Sequence, residues 1–198
     1  TQPHLAFNNK IIENETINII TYEYFHNGGG VAIGDINNDG LADVYMTGNL
    51  VPNRLYLNKG NLEFEDITKS SGTAGSQGWT TGVTKVDINN NGWLDIYVCL
   101  SGNLPDDFGL GDTGYATQAA FFDYDRDGDL DLFILNHNID PINDFKPTEV
   151  RNTYSANIGD KLYRNDNGYF IDVSQGTGIF TNPLGYGLGV SIGDLNND

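Results

Sequence analysis

The chain has 198 residues, with 27 Asp and Glu against 10 Lys and Arg, which gives a formal net charge of −17. That balance excludes sequence-independent binding to nucleic acid, which needs a basic footprint, while a hydrophobic share of 38% beside 25 glycines allows a packed core and argues against general disorder. No apolar run approaches the ~20 residues that cross a bilayer, and Thr1-Gln-Pro-His4 is neither basic nor followed by an apolar signal-peptide core, so no transmembrane segment and no leader are expected in these residues. A single cysteine, Cys99, excludes an internal disulfide and a Cys-rich zinc site.

In chain order, residues 1–29 read as lead-in strands, because Ile17 and Ile19 alternate with polar neighbours. Gly28-Gly-Gly30 misses the spacing of a dinucleotide loop and leads into a strand, so it reads as a turn where backbones approach closely. Residues 30–78 hold the first of four repeats. Gly30-Val-Ala-Ile-Gly-Asp35-Ile-Asn-Asn-Asp39-Gly40-Leu41-Ala-Asp43-Val-Tyr45-Met46 reads strand, acidic turn, strand, and Asn53-Arg-Leu-Tyr-Leu-Asn58-Lys-Gly60-Asn-Leu-Glu-Phe64-Glu-Asp66-Ile-Thr68 reads as a second hairpin turning at its glycine. Two hairpins in succession make a four-stranded antiparallel module, the unit of a propeller blade.

Residues 79–110 hold a shortened second repeat, Gly82-Val-Thr-Lys85-Val-Asp87-Ile-Asn89-Asn-Asn91-Gly92-Trp93-Leu-Asp95-Ile-Tyr97-Val98. Its outer hairpin is expected to be missing, since Gly102-Asn-Leu-Pro-Asp-Asp107 leads almost directly to the next unit. Residues 111–180 hold the third, Gln118-Ala-Ala-Phe-Phe-Asp123-Tyr-Asp125-Arg-Asp127-Gly128-Asp129-Leu-Asp131-Leu-Phe133-Ile134. It carries an inserted loop over 137–159, rich in Pro, Asn and Asp, and an outer hairpin, Asp160-Lys-Leu-Tyr-Arg-Asn165-Asp-Asn-Gly168-Tyr-Phe-Ile-Asp172-Val-Ser174. Residues 181–198 begin a fourth, Gly189-Val-Ser-Ile-Gly-Asp194-Leu-Asn196-Asn-Asp198. The expected fold class is all-β, with propeller blades of four-stranded antiparallel sheets forming a partial β-propeller.

The acidic turns carry the chemistry. Oxygen-bearing side chains fall at positions 1, 3, 5 and 9 with Gly at position 6, and the position-7 carbonyl is free to turn inward. The predicted ligands are Asp35, Asn37, Asp39, Leu41 and Asp43 in the first loop. In the second they are Asp87, Asn89, Asn91, Trp93 and Asp95, and in the third Asp123, Asp125, Asp127, Asp129 and Asp131. Alternate side chains converge in a tight loop, glycine lets the backbone reverse, and the closing carboxylate completes an all-oxygen shell, which favours calcium over magnesium, zinc or copper. The closing acid at position 9 and the flanking strands separate these loops from an EF-hand. A lone turn of this kind reads as well as an Asx turn capping its own backbone. Three complete matches, one packing five carboxylates into nine residues, favour a cation. The third loop is expected to bind tighter than the second, having two more ligand charges. Asp194, Asn196 and Asp198 would begin a fourth, truncated site.

With these turns in place, the chain resembles the FG-GAP/VCBS repeat family. More closely, Gly30-Val-Ala-Ile-Gly-Asp-Ile-Asn-Asn-Asp-Gly40, Trp93-Leu-Asp-Ile-Tyr-Val98, the third repeat from Gln118 and Leu135-Asn-His137 resemble the ASPIC/UnbV-associated family of bacterial relatives of cartilage acidic protein. The resemblance implies the N-terminal part of a larger, commonly seven-bladed propeller that is extracellular, periplasmic or attached to the cell surface, with calcium at the matched positions. The expected function is a non-catalytic module that binds a protein or polysaccharide. The alternative is a polysaccharide lyase or hydrolase on the same propeller with structural calcium, because fold does not fix function.

Other features have plainer readings. Asp112-Thr-Gly114 has no second copy and reads as a turn, not half of an aspartic-protease pair. His4, His26 and His137 lack a nucleophile setting, although His137 follows an inner strand and could face a propeller mouth. Tyr45, Tyr97 and Phe133 occupy one place in three repeats and read as packing between blades. Asn14-Glu-Thr16 is a formal glycosylation sequon.

Overall fold

The computed structural model describes residues 5–22, 25–75, 78–101, 114–139, 147–179 and 181–193. The chain divides into two compact units, Thr1–Ser101 and Gly102–Asp198, each built from antiparallel strands. Among the described residues no helix is long and apolar enough to cross a membrane.

In the first unit, β1 (Val31–Gly34), β2 (Asp43–Met46), β3 (Arg54–Asn58) and β4 (Phe64–Asp66) form one sheet in sequence order. The acidic turn joins β1 to β2 with Gly34 opposite Asp43, and Gly60 (φ 82°) lies in the turn between β3 and β4. The strand alternation buries Ala32 and Tyr45, while Val31 and Ile33 on the other face of β1 are exposed. A one-turn helix, α1 (Thr68–Ser71), follows β4. The second repeat contributes β5 (Trp79–Val86) and β6 (Asp95–Ser101), a separate two-stranded sheet. The missing outer hairpin predicted from residues 102–107 lies outside the described residues.

A buried polar seam ties the two sheets of this unit together. The Thr47 hydroxyl donates to Thr81 O and accepts from Gly30 N, Thr80 Oγ1 donates to Gly48 O at 2.6 Å, and Asn49 Nδ2 donates to Thr80 O at 3.0 Å. Gly29 marks the predicted close approach, since a Cβ there would lie 1.9 Å from Thr47 O. The lead-in strands predicted from Ile17 and Ile19 are not present in the described residues. There the Asn14 carboxamide oxygen accepts from Thr16 N and Ile17 N, and that of Asn18 from Ile20 N and Thr21 N. These Asx bonds satisfy backbone donors that a ladder would otherwise take, and they win over a weak two-residue alternation.

The second unit repeats the first blade. β7 (Ala116–Phe122), β8 (Asp131–Asn136), β9 (Lys161–Asp166) and β10 (Tyr169–Asp172) form a sheet in the order β10-β9-β8-β7, with the acidic turn between β7 and β8. Asn167 and Gly168, at φ 55° and 90°, make the two-residue turn from β9 to β10. Part of the inserted loop forms the short helix α2 (Pro147–Val150). Leu132 and Ile134 are fully buried at the centre of this sheet.

Candidate metal centre

Among the described residues three acidic loops join inner strands, and they share one hydrogen-bond pattern. In the first, Asp35 accepts from Asp39 N at 3.1 Å and Gly40 N at 2.7 Å, Asp39 Oδ1 accepts from Leu41 N, and Asp43 Oδ2 accepts from Ile36 N across the neck. The second repeats this with Asp87 taking Asn91 N and Gly92 N, Asn91 taking Trp93 N, and Asp95 taking Ile88 N. The third repeats it with Asp123 taking Asp127 N and Gly128 N, Asp127 taking Asp129 N, and Asp131 taking Tyr124 N. Position 4 is left-handed in every case (Asn38, Asn90 and Arg126 at φ 57°, 54° and 64°), and so is the glycine at position 6, at 84°, 85° and 97°. Two consecutive amides therefore point inward at the position-1 carboxylate, and the position-3 oxygens of Asn37, Asn89 and Asp125 accept from the same position-5 amide.

The closing acids of the first and third loops are anchored further. Asp43 and Asp131 are fully buried, and their second oxygens accept from Asn58 N at 2.8 Å and Asn165 N at 2.9 Å on the third strand of each sheet. Asn58 and Asn165 also donate their side-chain amides to Ala42 O and Leu130 O, just ahead of those acids. The sequence reading missed these two asparagines. Their signal is the shared Leu-Tyr-x-Asn of the outer hairpins.

In the third loop, Asp123, Asp125 and Asp131 each place a carboxylate oxygen within 4.8 Å of the others. Oxygens around one calcium ion at ~2.4 Å stand no farther apart than about this, so the donor set and its spacing are compatible with that ion. Burial raises the Asp131 carboxyl above its ordinary value, the Asn165 and Tyr124 amides oppose this, and Asp125 and Asp127 push it further up. The smaller contribution of Asp125 and Asp127 is like-charge crowding that a cation would relieve. In the first loop Asn37 Nδ2 donates to Asp39 at 3.0 Å, so its amide occupies the space between the two side chains. The fourth set, Asp194, Asn196 and Asp198, lies outside the described residues.

Loops one and two are linked. Asn38 Nδ2 donates to Gly92 O at 2.9 Å, and Lys85 of β5 donates its ammonium to Gly34 O at 3.0 Å and Asp43 O at 3.2 Å. Burial pushes the Lys85 ammonium below its ordinary value against the pull of Asp43 and Asp35.

Of the remaining candidates, His137 is buried, with Nδ1 3.4 Å from Gly187 O and its ring edge-on to Tyr186 at 5.6 Å. Tyr45 is buried and donates to Thr73 O. The turn at Asp112 lies outside the described residues.

Parts of this sequence, the first two loops among them, also match known proteins. Residues 35–98 match the FG-GAP-like repeat family. The chain thus resembles that family over its first two acidic turns. A stretch of 69 residues, 35% of this chain, is 36% identical to cartilage acidic protein 1 of Xenopus tropicalis, and it spans 11% of that protein's length.

Proposed function

We propose that the chain is a calcium-stabilised, propeller-type FG-GAP module that works outside the cytoplasm and presents its loops to a protein or glycan partner without chemistry of its own. The observation that carries the reading is the third loop, where three carboxylate oxygens converge within 4.8 Å on a backbone frame that the other two loops share. Asp35, Asn37, Asp39 and Asp43 would hold an ion in the first loop, Asp87, Asn89, Asn91 and Asp95 in the second, and Asp123, Asp125, Asp127 and Asp131 in the third. The position-7 carbonyls of Leu41, Trp93 and Asp129 would complete each shell. Calcium, when bound, would supply charge neutralisation and cross-linking: the residues at the two ends of each loop would share one ion, and three filled loops would offset six of the net negative charges. Weak all-oxygen sites suit the millimolar calcium found outside cells, which supports the location.

The test is the melting temperature of the chain and of Asp39→Ala across a calcium titration, with magnesium and chelator controls. Calcium at ~100 times its dissociation constant adds ~2.7 kcal/mol per site, so a large calcium-specific rise is expected, and it should be smaller in the variant. An identical curve in calcium and chelator would refute the reading.

A further inference from the structure

We infer that Lys85 is a resident cation for the first acidic loop: it holds the neck of that hairpin closed and sets its calcium affinity below what its carboxylates alone would give. This rests on the calcium reading above and adds a residue outside the ligand set.

The residue two places before the first aspartate is Ile33, Lys85, Phe121 and Ile192 in the four copies, so one position that is otherwise apolar carries a charge. Its surroundings give the ammonium two acceptors. The Lys85 stem lies against Gly34, where a Cβ would come 3.3 Å from Lys85 Cδ and 2.9 Å from Leu94 Cδ1, so the absence of a side chain at Gly34 admits the lysine. The ammonium then reaches Gly34 O and Asp43 O at 3.0 and 3.2 Å. Gly34 and Asp43 are the last paired residues of β1 and β2, directly opposite each other where the loop begins. One side chain therefore clasps both ends of the loop from the neighbouring hairpin.

Both bonds go to main-chain carbonyls, so the ammonium does not take up the carboxylates of Asp35 and Asp43, which accept loop amides. A fixed positive charge beside them repels an incoming divalent ion, and partial burial weakens the screening of that repulsion. By ligand carboxylates alone, the loops rank third, first, second: Asp123, Asp125, Asp127 and Asp131, then Asp35, Asp39 and Asp43, then Asp87 and Asp95. With Lys85 counted, the first loop falls to the level of the second. The chain then has one tight site in its second unit and two weak sites in its first, and the first loop keeps its shape when the ion leaves.

The experiment is calcium calorimetry on the full chain, with circular dichroism of every variant. Asp39→Ala identifies the binding step that belongs to the first loop. Lys85→Gln and Lys85→Met are expected to tighten that step by about 3- to 10-fold at low salt, with the gain shrinking in concentrated salt, and Lys85→Arg to leave it as in the parent. An unchanged or weaker step in a folded neutral variant would overturn the inference, leaving Lys85 as a mechanical tie alone. Loss of the β signal in both neutral variants would overturn it as well, by assigning the residue to folding. If the parent shows no step that Asp39→Ala removes, the calcium reading of this loop fails first, and that result is distinguishable because it involves no Lys85 variant.

Discussion

Asp123 has two duties that a single substitution separates. Its carboxylate caps two loop amides, Asp127 N and Gly128 N, and it supplies one of the three oxygens that converge within 4.8 Å. Losing the caps costs about 1 kcal/mol whatever the solution contains, whereas losing an ion ligand costs only when the ion is present. Asp123→Ala is therefore expected to destabilise the chain by roughly 1 kcal/mol in chelator and by about 3–4 kcal/mol in saturating calcium, read by urea unfolding. Equal losses in both would mean the loop caps itself and holds nothing. Tyr56 makes the opposite case at this scale. It is 1% exposed, and its buried hydroxyl has no hydrogen-bond partner among the described residues. Removing a buried polar group that bonds nothing relieves desolvation, so Tyr56→Phe should leave stability unchanged or raise it by about 1 kcal/mol in the same assay.

At the scale of the element, both outer hairpins end in the same device. After β4, the Thr68 amide and hydroxyl donate to Asp66 while Thr68 Oγ1 accepts Leu55 N at 2.9 Å. After β10, the Ser174 amide and hydroxyl donate to Asp172 while Ser174 Oγ accepts Leu162 N at 3.0 Å. The hydroxyl relays a carboxylate to a buried strand amide one strand away and locks the return of the chain onto β3 or β9. Thr68→Val and Ser174→Ala each strip the acceptor from a buried N–H and are predicted to cost ~1–3 kcal/mol in urea unfolding, whereas Thr68→Ser should cost much less. The outer hairpins that end at Thr68 and Ser174 were visible in the sequence, as were the inner hairpins and the turns at Gly60 and Gly168, because each depends on residues within a few positions. What was not legible is contact between repeats. Trp79 and Tyr186 stand eight residues before their first aspartates and bridge back to Asn49 and His137, each six residues past a closing aspartate. Lys85 reaches a loop more than 40 residues away. Periodicity within one repeat carries no information about which neighbour a side chain will meet. The strand expected at Ile17 and Ile19 failed for a local reason, since Asn14 and Asn18 offered the backbone cheaper partners.

For the molecule as a whole, the net charge of −17 makes stability a question of how carboxylates are neutralised, by protons or by ions. In the ion-free chain, burial raises the carboxyls of Asp131 and Asp160 above the ordinary 3.8, although amides from Asn165 and Tyr124, and from Asn136, pull against it. A raised folded pKa means the folded chain holds these protons more tightly than the unfolded one. Their ionisation is a penalty at neutral pH, which lifts as pH falls through the raised values toward 3.8. Asp66 has the reverse sign but a different window. Burial opposes its ionisation, yet the Thr68 hydroxyl and amide, with Arg54, hold its carboxyl below 3.8, so its contribution is lost only as pH falls through that lower value. As pH falls through those raised values toward 3.8 the chelated chain should therefore gain stability. With calcium bound, protons entering Asp131 displace an ion, and stability should fall over the same range. Melting temperatures followed from neutral pH down toward 3.8 are thus predicted to slope in opposite directions with and without calcium. Parallel slopes would show that protons and ions do not compete for the same carboxylates and would remove the loops from any part in stabilising the fold.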